Sequence, residues 1–429
     1  MSDQKRTSNA SAVADVEWDS IMRDLFDTAP ESETKSKKSG VFTLETESEP
    51  TSSDVVPTKR VAVIRTSDRI AFKQCRRKWA WGSHLRAGLG PKQNAAPLWF
   101  GSGFHFVLED YHGHRRFANP VDAMNAYAAA TLKFNKESVP DDYKELLVMG
   151  ETMLSYYVQW WQRRGRHIPP TYVLDGVPQV EVNFRVPIPL SKELLAKYGY
   201  DEAVYSGTID AVRFDPETGL LWLLDYKTAK IFNTQHFRHD SQVTAYCWAA
   251  SHMYGMEVAG MIYQQHLKKE ISTPRVLKNG NLSSAKNQTT SHILYRQAIL
   301  DIYGTVDKAP ADIVSFLNGL ARDETARVDK FIRLDFIYRN QQIQAAEGVK
   351  ALLEAEDMLD PNLALYPNPG RDCTYMCSFN SVCTSLDDGS DWEHELKTDF
   401  APRPKEYDGW RECLVWPGEE PEKDPEIVW

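Results

Sequence analysis

Two aspartates and a lysine within one short stretch have the types and spacing to hydrolyse a phosphodiester. Asp210 closes one extended run, SerGlyThrIleAsp, and Asp225-Tyr226-Lys227 lies near the end of the next. Between them Asp215-Pro216-Glu217-Thr218-Gly219 carries turn formers, and both runs alternate apolar with polar residues, so Ser206 to Lys227 reads as a β-hairpin. Pairing the strands brings Asp210 and Asp225 within reach of one divalent cation and sets Lys227, two residues on, on the face of Asp225. Carboxylates can hold a hard cation that polarises a phosphate and lowers the pKa of a bound water, while an ammonium neutralises the charge that develops. The plain alternative is a pair of solvated carboxylates at a sheet edge. Against it stands Leu220-Leu221-Trp222-Leu223-Leu224, an apolar run of central-strand type, after which a charge is costly without a metal or partner.

Further candidates lie outside the hairpin. Gln242 and Tyr246 are four apart and share a helical face soon after it, placed to contact phosphate or orient Lys227; an ordinary half-buried amide and phenol explain them equally well. His105 follows Gly101, Ser102 and Gly103, small residues that let its helix pack closely, and is by itself either a ligand or a plain helix residue. Three cysteines, Cys373, Cys377 and Cys383, sit together, with Cys75 alone near the start of the folded region; Cys247 reads as core and Cys413 as a free thiol. Six cysteines in this length do not make a disulfide-stapled scaffold.

The elements that must position these groups follow from periodicity. A helix capped by Thr66 or Ser67 is expected to run through Cys75 to Leu85, with a second from Leu98 to about Phe117 and two more over about 119–137 and 141–165. Val180–Val186 reads as a strand ended by Pro187 and is followed by the hairpin, a helix to Tyr254 and a buried strand over 257–266. The segment from Lys268 to Thr290 is polar and glycine-broken, with Lys268, Lys269, Arg275, Lys278 and Lys286 and no acid after Glu270. It reads as a mobile basic loop able to touch DNA phosphates, with an idle surface loop as the equal alternative. Helices over about 286–304 and 309–322, a strand over 327–338 and a helix from Asn340 to Glu356 follow.

The expected layout is a disordered arm over 1–60, a helical region over 61–170, a core over 171–360, a cysteine segment over 361–385 and an acidic tail over 386–429. Within the arm, Val16–Phe26 has apolar residues at helical spacing. With 429 residues, 42% of them hydrophobic, the chain can bury a substantial core. A formal charge of −10 does not advertise a nucleic-acid binder, so any DNA contact needs a local basic patch. No apolar run approaches about 20 residues and no signal-peptide core is visible, so a cytoplasmic protein with no membrane contact is expected.

The order of His105 in GlySerGlyPheHis, Asp210 in SerGlyThrIleAsp, Asp225-Tyr226-Lys227, and Gln242 with Tyr246 resembles that of RecB-like nucleases of the PD-(D/E)xK superfamily, over roughly 65 to 385. The resemblance implies an α/β fold: a restriction-endonuclease-like core with a mixed central sheet flanked by helices, a helical insertion, and a C-terminal iron-sulfur subdomain. It implies His105, Asp210, Asp225 and the main-chain carbonyl of Tyr226 as ligands of Mg2+ or Mn2+, Lys227 as the catalytic lysine, and Gln242 and Tyr246 beside it. Glu181 matches a further acidic position in the strand before the hairpin. The set Cys75, Cys373-x3-Cys377-x5-Cys383 is similar to the split iron-sulfur staple of the branch that includes AddB-type nuclease subunits and CRISPR adaptation nucleases, which implies a [4Fe-4S] cluster. The commoner spacing there is x2 then x5, and four thiolates can also hold zinc, so zinc stays open as the alternative.

By the same resemblance the activity is that of a metal-dependent DNA exonuclease working at ends in recombination, repair or phage replication, as a stand-alone phage version in the host cytoplasm. Lacking G-x-x-x-x-G-K-[ST], the chain needs single strands, free ends, or a helicase or recombinase partner. The alternative from another class is a catalytically silent DNA-binding or scaffold subunit, against which speaks the presence of Asp210, Asp225 and Lys227 together. Oligomeric state stays open.

Overall fold

A computed structural model describes residues 59–92, 96–232, 237–321, 329–403 and 409–418. Nearly all of the expected N-terminal arm, including Val16–Phe26, and the end of the acidic tail lie outside the described residues.

The chain enters through β1 (Val61–Arg65), with Ala62 and Ile64 buried, and passes directly into α1 (Thr66–Gln74) and α2 (Arg76–Gly82). A short β2 (Leu89–Pro91) leads to three long helices, α3 (Ala96–His112), α4 (Pro120–Phe134) and α5 (Tyr143–Arg164). β3 (Val173–Leu174) and β4 (Val177–Pro178) form a minimal pair ahead of β5 (Val180–Pro187), α6 (Lys192–Tyr198), β6 (Glu202–Asp215) and β7 (Leu220–Ala229). Then come α7 (Ser241–Tyr254), β8 (Val258–Leu267), α8 (His292–Tyr303), α9 (Ala311–Ala321), β9 (Ile332–Tyr338) and α10 (Gln341–Leu359). The chain continues through α11 (Asp372–Met376), α12 (Asn380–Asp388), α13 (Trp392–Asp399) and β10 (Phe400–Pro402).

The central sheet is mixed and six-stranded, in the order β1-β6-β7-β8-β9 with β5 also on β6. β6 and β7 are the expected hairpin: the Asp215 carboxylate accepts from Glu217 N and Thr218 Oγ1, and Gly219 takes the left-handed conformation at φ 73°. One face packs on α1, α7 and α10 through Tyr205, Leu221, Leu223, Met261, Val243 and Ala355. The other packs on α3, α4 and α5 through Trp222, Leu224, Ile262, Phe104 and Tyr157. The helical insertion between the first helix and the hairpin therefore forms one outer layer of an α/β sandwich.

β6 has three partners but only two edges. β5 runs antiparallel along it from Val204 to Ala211, so β1, which pairs with Glu202–Ser206, and β7, which pairs with Ala211–Asp215, must share the other edge end to end. Between them Gly207 to Asp210 has no strand neighbour on that edge. At this break the chain turns from β1 into α1, with Thr66 Oγ1 donating to the Ser206 carbonyl. A Cβ at Gly207 would lie 2.7 Å from Thr66 Oγ1 and 2.8 Å from Phe184 Cζ, so only glycine admits this approach. A sheet whose neighbours change in this way opens a crevice, where α/β proteins place their ligands, and Asp210 stands in it.

Two expectations need correction. The helix expected from Thr66 to Leu85 is broken at Cys75, which is extended (φ −163°, ψ 118°) because its sulfur is turned to accept Lys78 N–H and start α2. The cap is also different: Asp68 reaches back to accept Arg65 N–H at 2.9 Å. Of the expected acidic tail, the described residues 386–403 and 409–418 carry packed elements. β10 pairs antiparallel with β2, Trp410 is buried against Phe106 and Tyr127, and Arg411 holds Glu109 at 2.7 Å, because aromatic side chains this large gain too much from burial to stay in water. Among the described residues no helix is long and apolar enough to cross a membrane.

Candidate active site

The β6–β7 ladder is hydrogen-bonded as far as Ala211 and Leu224, and one step further its register sets Asp210 opposite Asp225. There a side chain replaces the backbone ladder: Asp210 Oδ2 accepts Tyr226 N–H at 2.7 Å. Asp225 and Lys227 share the face of Leu221 and Leu223, and Lys227 Nζ donates to Asp225 Oδ1 at 2.8 Å. Tyr226 points to the other face, where its hydroxyl accepts from Arg213 Nη2.

α3 delivers His105. Gly103 lets this helix close on Tyr127 of α4, since a Cβ there would fall 2.6 Å from the ring. His105 Nδ1 then lies 3.4 Å from Asp210 Oδ2 and 3.9 Å from Glu181 Oε1, and ligand atoms of His105, Glu181 and Asp210 all lie within 4.8 Å of one another. Glu181 reaches this group by an unusual backbone. Its neighbours Val180 and Val182 pair with Ala211 and Ile209, which sets it opposite Asp210, yet its φ is 46°. A non-glycine residue held left-handed costs of order 1–3 kcal/mol and persists where the surroundings demand it.

The electrostatics are those of crowded carboxylates in a dry place. Burial lifts Glu181, the Asp210 charge adds to it, and the acid is pushed up to about 8 in spite of His105. Burial likewise lifts Asp225 to about 6, with Lys227 opposing and Asp210 reinforcing. For Asp210 burial is outweighed by the His105 charge and hydrogen bond, by Lys227 and by Tyr226 N–H, and its acid is held below the ordinary value. Burial works against the His105 cation, but Asp210 outweighs it and raises the imidazole to about 9. For Lys227, Asp225 and Asp210 overcome burial and raise the ammonium above its ordinary value. Asp225 Oδ2 is buried and has no hydrogen-bond partner, which is costly for a carboxylate.

α7 brings up the last pair. Tyr246 lies near Gln242 and Thr66; its phenol is raised foremost by burial, with the charges of Asp225 and Asp210 adding. Phe184 packs edge-on against the Tyr246 ring at 5.3 Å. The residues singled out in the sequence, His105, Asp210, Asp225, Tyr226, Lys227, Gln242 and Tyr246, thus surround one crevice. Thr66 and Glu181 join them; Thr66 had no motif to flag it, and only its place at the end of an apolar strand hints at its role.

The donor set that the structure brings together, His105, Glu181 and Asp210, suits a hard divalent cation; Asp225, expected as a ligand, stands opposite Asp210 with one orphaned oxygen but outside that group. A second donor set lies at the other end of α1. Cys75 Sγ accepts N–H groups from Lys78 and Asn368, Cys373 Sγ accepts from Gly370, and Arg77 Nη1 lies 3.2 Å from Cys383 Sγ. Asn368 Nδ2 also donates to the Gln74 carbonyl, so the C-terminal cysteine segment is tied to the junction of α1 and α2. Burial foremost lifts the Cys377 thiol, and the nearness of Cys373 and Cys75 adds to it. Among the described residues these sulfurs do not form a group of three ligand atoms within 4.8 Å of one another, as those of His105, Glu181 and Asp210 do.

A family model described as the PD-(D/E)XK nuclease superfamily matches residues 67–384. No curated protein matches the chain.

Proposed function

The chain belongs to the PD-(D/E)XK nuclease superfamily, whose model spans well over half of it, and from that premise we propose that it is a RecB-like exonuclease that hydrolyses DNA from its ends. The observation that carries the reading is the orphaned Asp225 oxygen beside Lys227, with Asp210 opposite Asp225 and grouped with His105 and Glu181. Nucleases of this superfamily generally use Mg2+ or Mn2+. Here His105, Asp210, Asp225, the Tyr226 carbonyl and Glu181 would hold the ion, which when bound polarises the scissile phosphate and lowers the pKa of a water.

The chain's own groups supply the rest. Lys227 is held protonated by Asp225 and Asp210, so it acts as a cation and hydrogen-bond donor toward the phosphate rather than as a base. Tyr246 and Gln242 line the same face and orient the phosphate or Lys227. The Tyr226 phenol, fixed by Arg213, keeps the adjacent carbonyl from turning. The four cysteines would hold a [4Fe-4S] cluster, with zinc as the alternative, pinning 368–383 to the first helices as a structural element. A phage origin and a role in recombination, repair or replication in the cytoplasm, alongside a helicase or recombinase, complete the reading.

The test is digestion of end-labelled single- and double-stranded DNA with Mg2+ or Mn2+, comparing wild type with Asp225→Ala and Lys227→Ala. Loss of cleavage in both variants is expected. Cleavage unchanged in both overturns the assignment in favour of a silent DNA-binding subunit, and cutting of closed circles as readily as linear DNA overturns the exonuclease reading.

A further inference from the structure

The segment after β8 is braced rather than free. Lys268 N–H donates to the Ala229 carbonyl, so the segment leaves the sheet beside the end of the strand that carries Lys227. From Arg275 to Ser283 it folds into a finger: Val276 bridges Leu282, Leu277 N–H bonds the Asn281 carbonyl, Ser283 N–H bonds that of Arg275, and Gly280 turns the tip at φ 82°. Its base is locked. Leu282 is buried with Tyr295, Ile299, Ile313 and Leu317, and its N–H bonds the Tyr303 hydroxyl. The buried Gln288 side chain accepts Arg275 N–H and donates to the Ser283 and Ala285 carbonyls.

The exposed side of the first arm is the opposite. Val276 and Leu277 are 54% and 44% exposed, with Arg275 and Lys278 on either side of them. From Ile271 to Leu300 there is no acidic residue, in a chain whose formal charge is −10. An exposed apolar pair on the first arm of the finger, set among cations, complements one partner well: a polyphosphate whose charges meet Arg275 and Lys278 while stacked bases meet Val276 and Leu277.

We propose that this finger is a wedge for the end of a DNA duplex. Arg275 and Lys278 hold the backbone while Val276 and Leu277 insert against the terminal base pair and part it, feeding a single strand toward the crevice. The proposal rests on the nuclease reading for its substrate. It supplies what a chain without a nucleotide-triphosphatase motif lacks: a way to open an end using binding energy alone.

The test uses the full chain in EDTA, where no cleavage interferes, with a duplex oligonucleotide carrying 2-aminopurine in its terminal pair. Wild type is expected to raise the fluorescence on binding, because the base unstacks. V276S/L277S is expected to lose that rise while binding single-stranded DNA as wild type does. R275A/K278A is expected to weaken binding to every DNA and to reduce the salt dependence of log affinity by about two, one per phosphate contact. Unchanged melting temperatures confirm that the braced base is intact in both variants. A fluorescence rise equal in V276S/L277S and wild type, or none in wild type, overturns the wedge. Absence of cleavage in a separate Mg2+ assay would instead overturn the nuclease reading and leave the fluorescence result standing.

Discussion

In the metal-free protein Asp225 is a buried carboxylate with one oxygen on Lys227 and the other on nothing, so Asp225→Asn is expected to remove a cost rather than a support. The amide can still accept from Lys227, and it carries no charge to desolvate. Burial raises the acid from 3.8 to about 6. The raised value means that the folded chain favours the protonated form: below about pH 4 there is no penalty, and stability is lost as the pH climbs through 6. That difference converts to about 3 kcal/mol of destabilisation above pH 6. Metal-free Asp225→Asn should therefore exceed wild type by up to that amount at pH 8, with the gap closing as the pH falls from 6 to 4. Magnesium should reverse the order, since only wild type gains by binding it. Urea unfolding at several pH values, in EDTA and in Mg2+, reads both effects. The reasoning is refuted if the variant is no more stable than wild type in EDTA at pH 8, or if Mg2+ stabilises both equally.

Glu181→Gln should raise the Mg2+ concentration needed for half-maximal cleavage by about ten- to a hundredfold, the range for groups that support a metal site, read from metal titrations of activity. Cys373→Ser should abolish the absorbance expected at roughly 400 nm from thiolate-bound iron and lower the melting temperature; a colourless wild type containing zinc would decide for the alternative metal. His266 is buried and pushed down to about 3, chiefly by burial, so it stays neutral in the fold and protonates more readily when unfolded. Stability should then fall as the pH drops below about 6.5, by up to about 1.4 kcal/mol per unit for this group. His266→Gln should flatten that slope in urea midpoints taken against pH.

The hairpin was legible because its signals are local: turn formers at fixed places, alternation on both sides, and an apolar run before Asp225. The ring of motif residues was legible as an order along the chain, and the fold brings that order into one crevice. Glu181 could be noticed only loosely, because what aims it is a left-handed backbone that no propensity assigns to glutamate. The break at Cys75 was hidden for a related reason. The residues around it favour helix, and only contacts with Asn368, far along the chain, reveal why its sulfur is turned aside. Pairing of β10 with β2 joins segments about 300 residues apart and leaves no trace in either stretch alone. The basic segment after β8 was readable in charge but not in shape, since its brace depends on Gln288, Tyr295 and Tyr303, each ordinary in its own neighbourhood.

The shared edge of β6 makes the crevice a matter of counting. The last rung to β1 is Ser206 and the first to β7 is Ala211, so four residues, Gly207 to Asp210, act as a ruler between the start of α1 and the acids. At about 3.3 Å per residue that ruler is about 13 Å long. Its length can change only in steps, and each single step turns every later side chain to the opposite face. Inserting one residue between Gly207 and Ile209 would leave both ladders free to form and Asp210 opposite Asp225, yet would carry both acids out of register with β1 and the start of α1. Width of the cleft and identity of its walls are thus written as one integer.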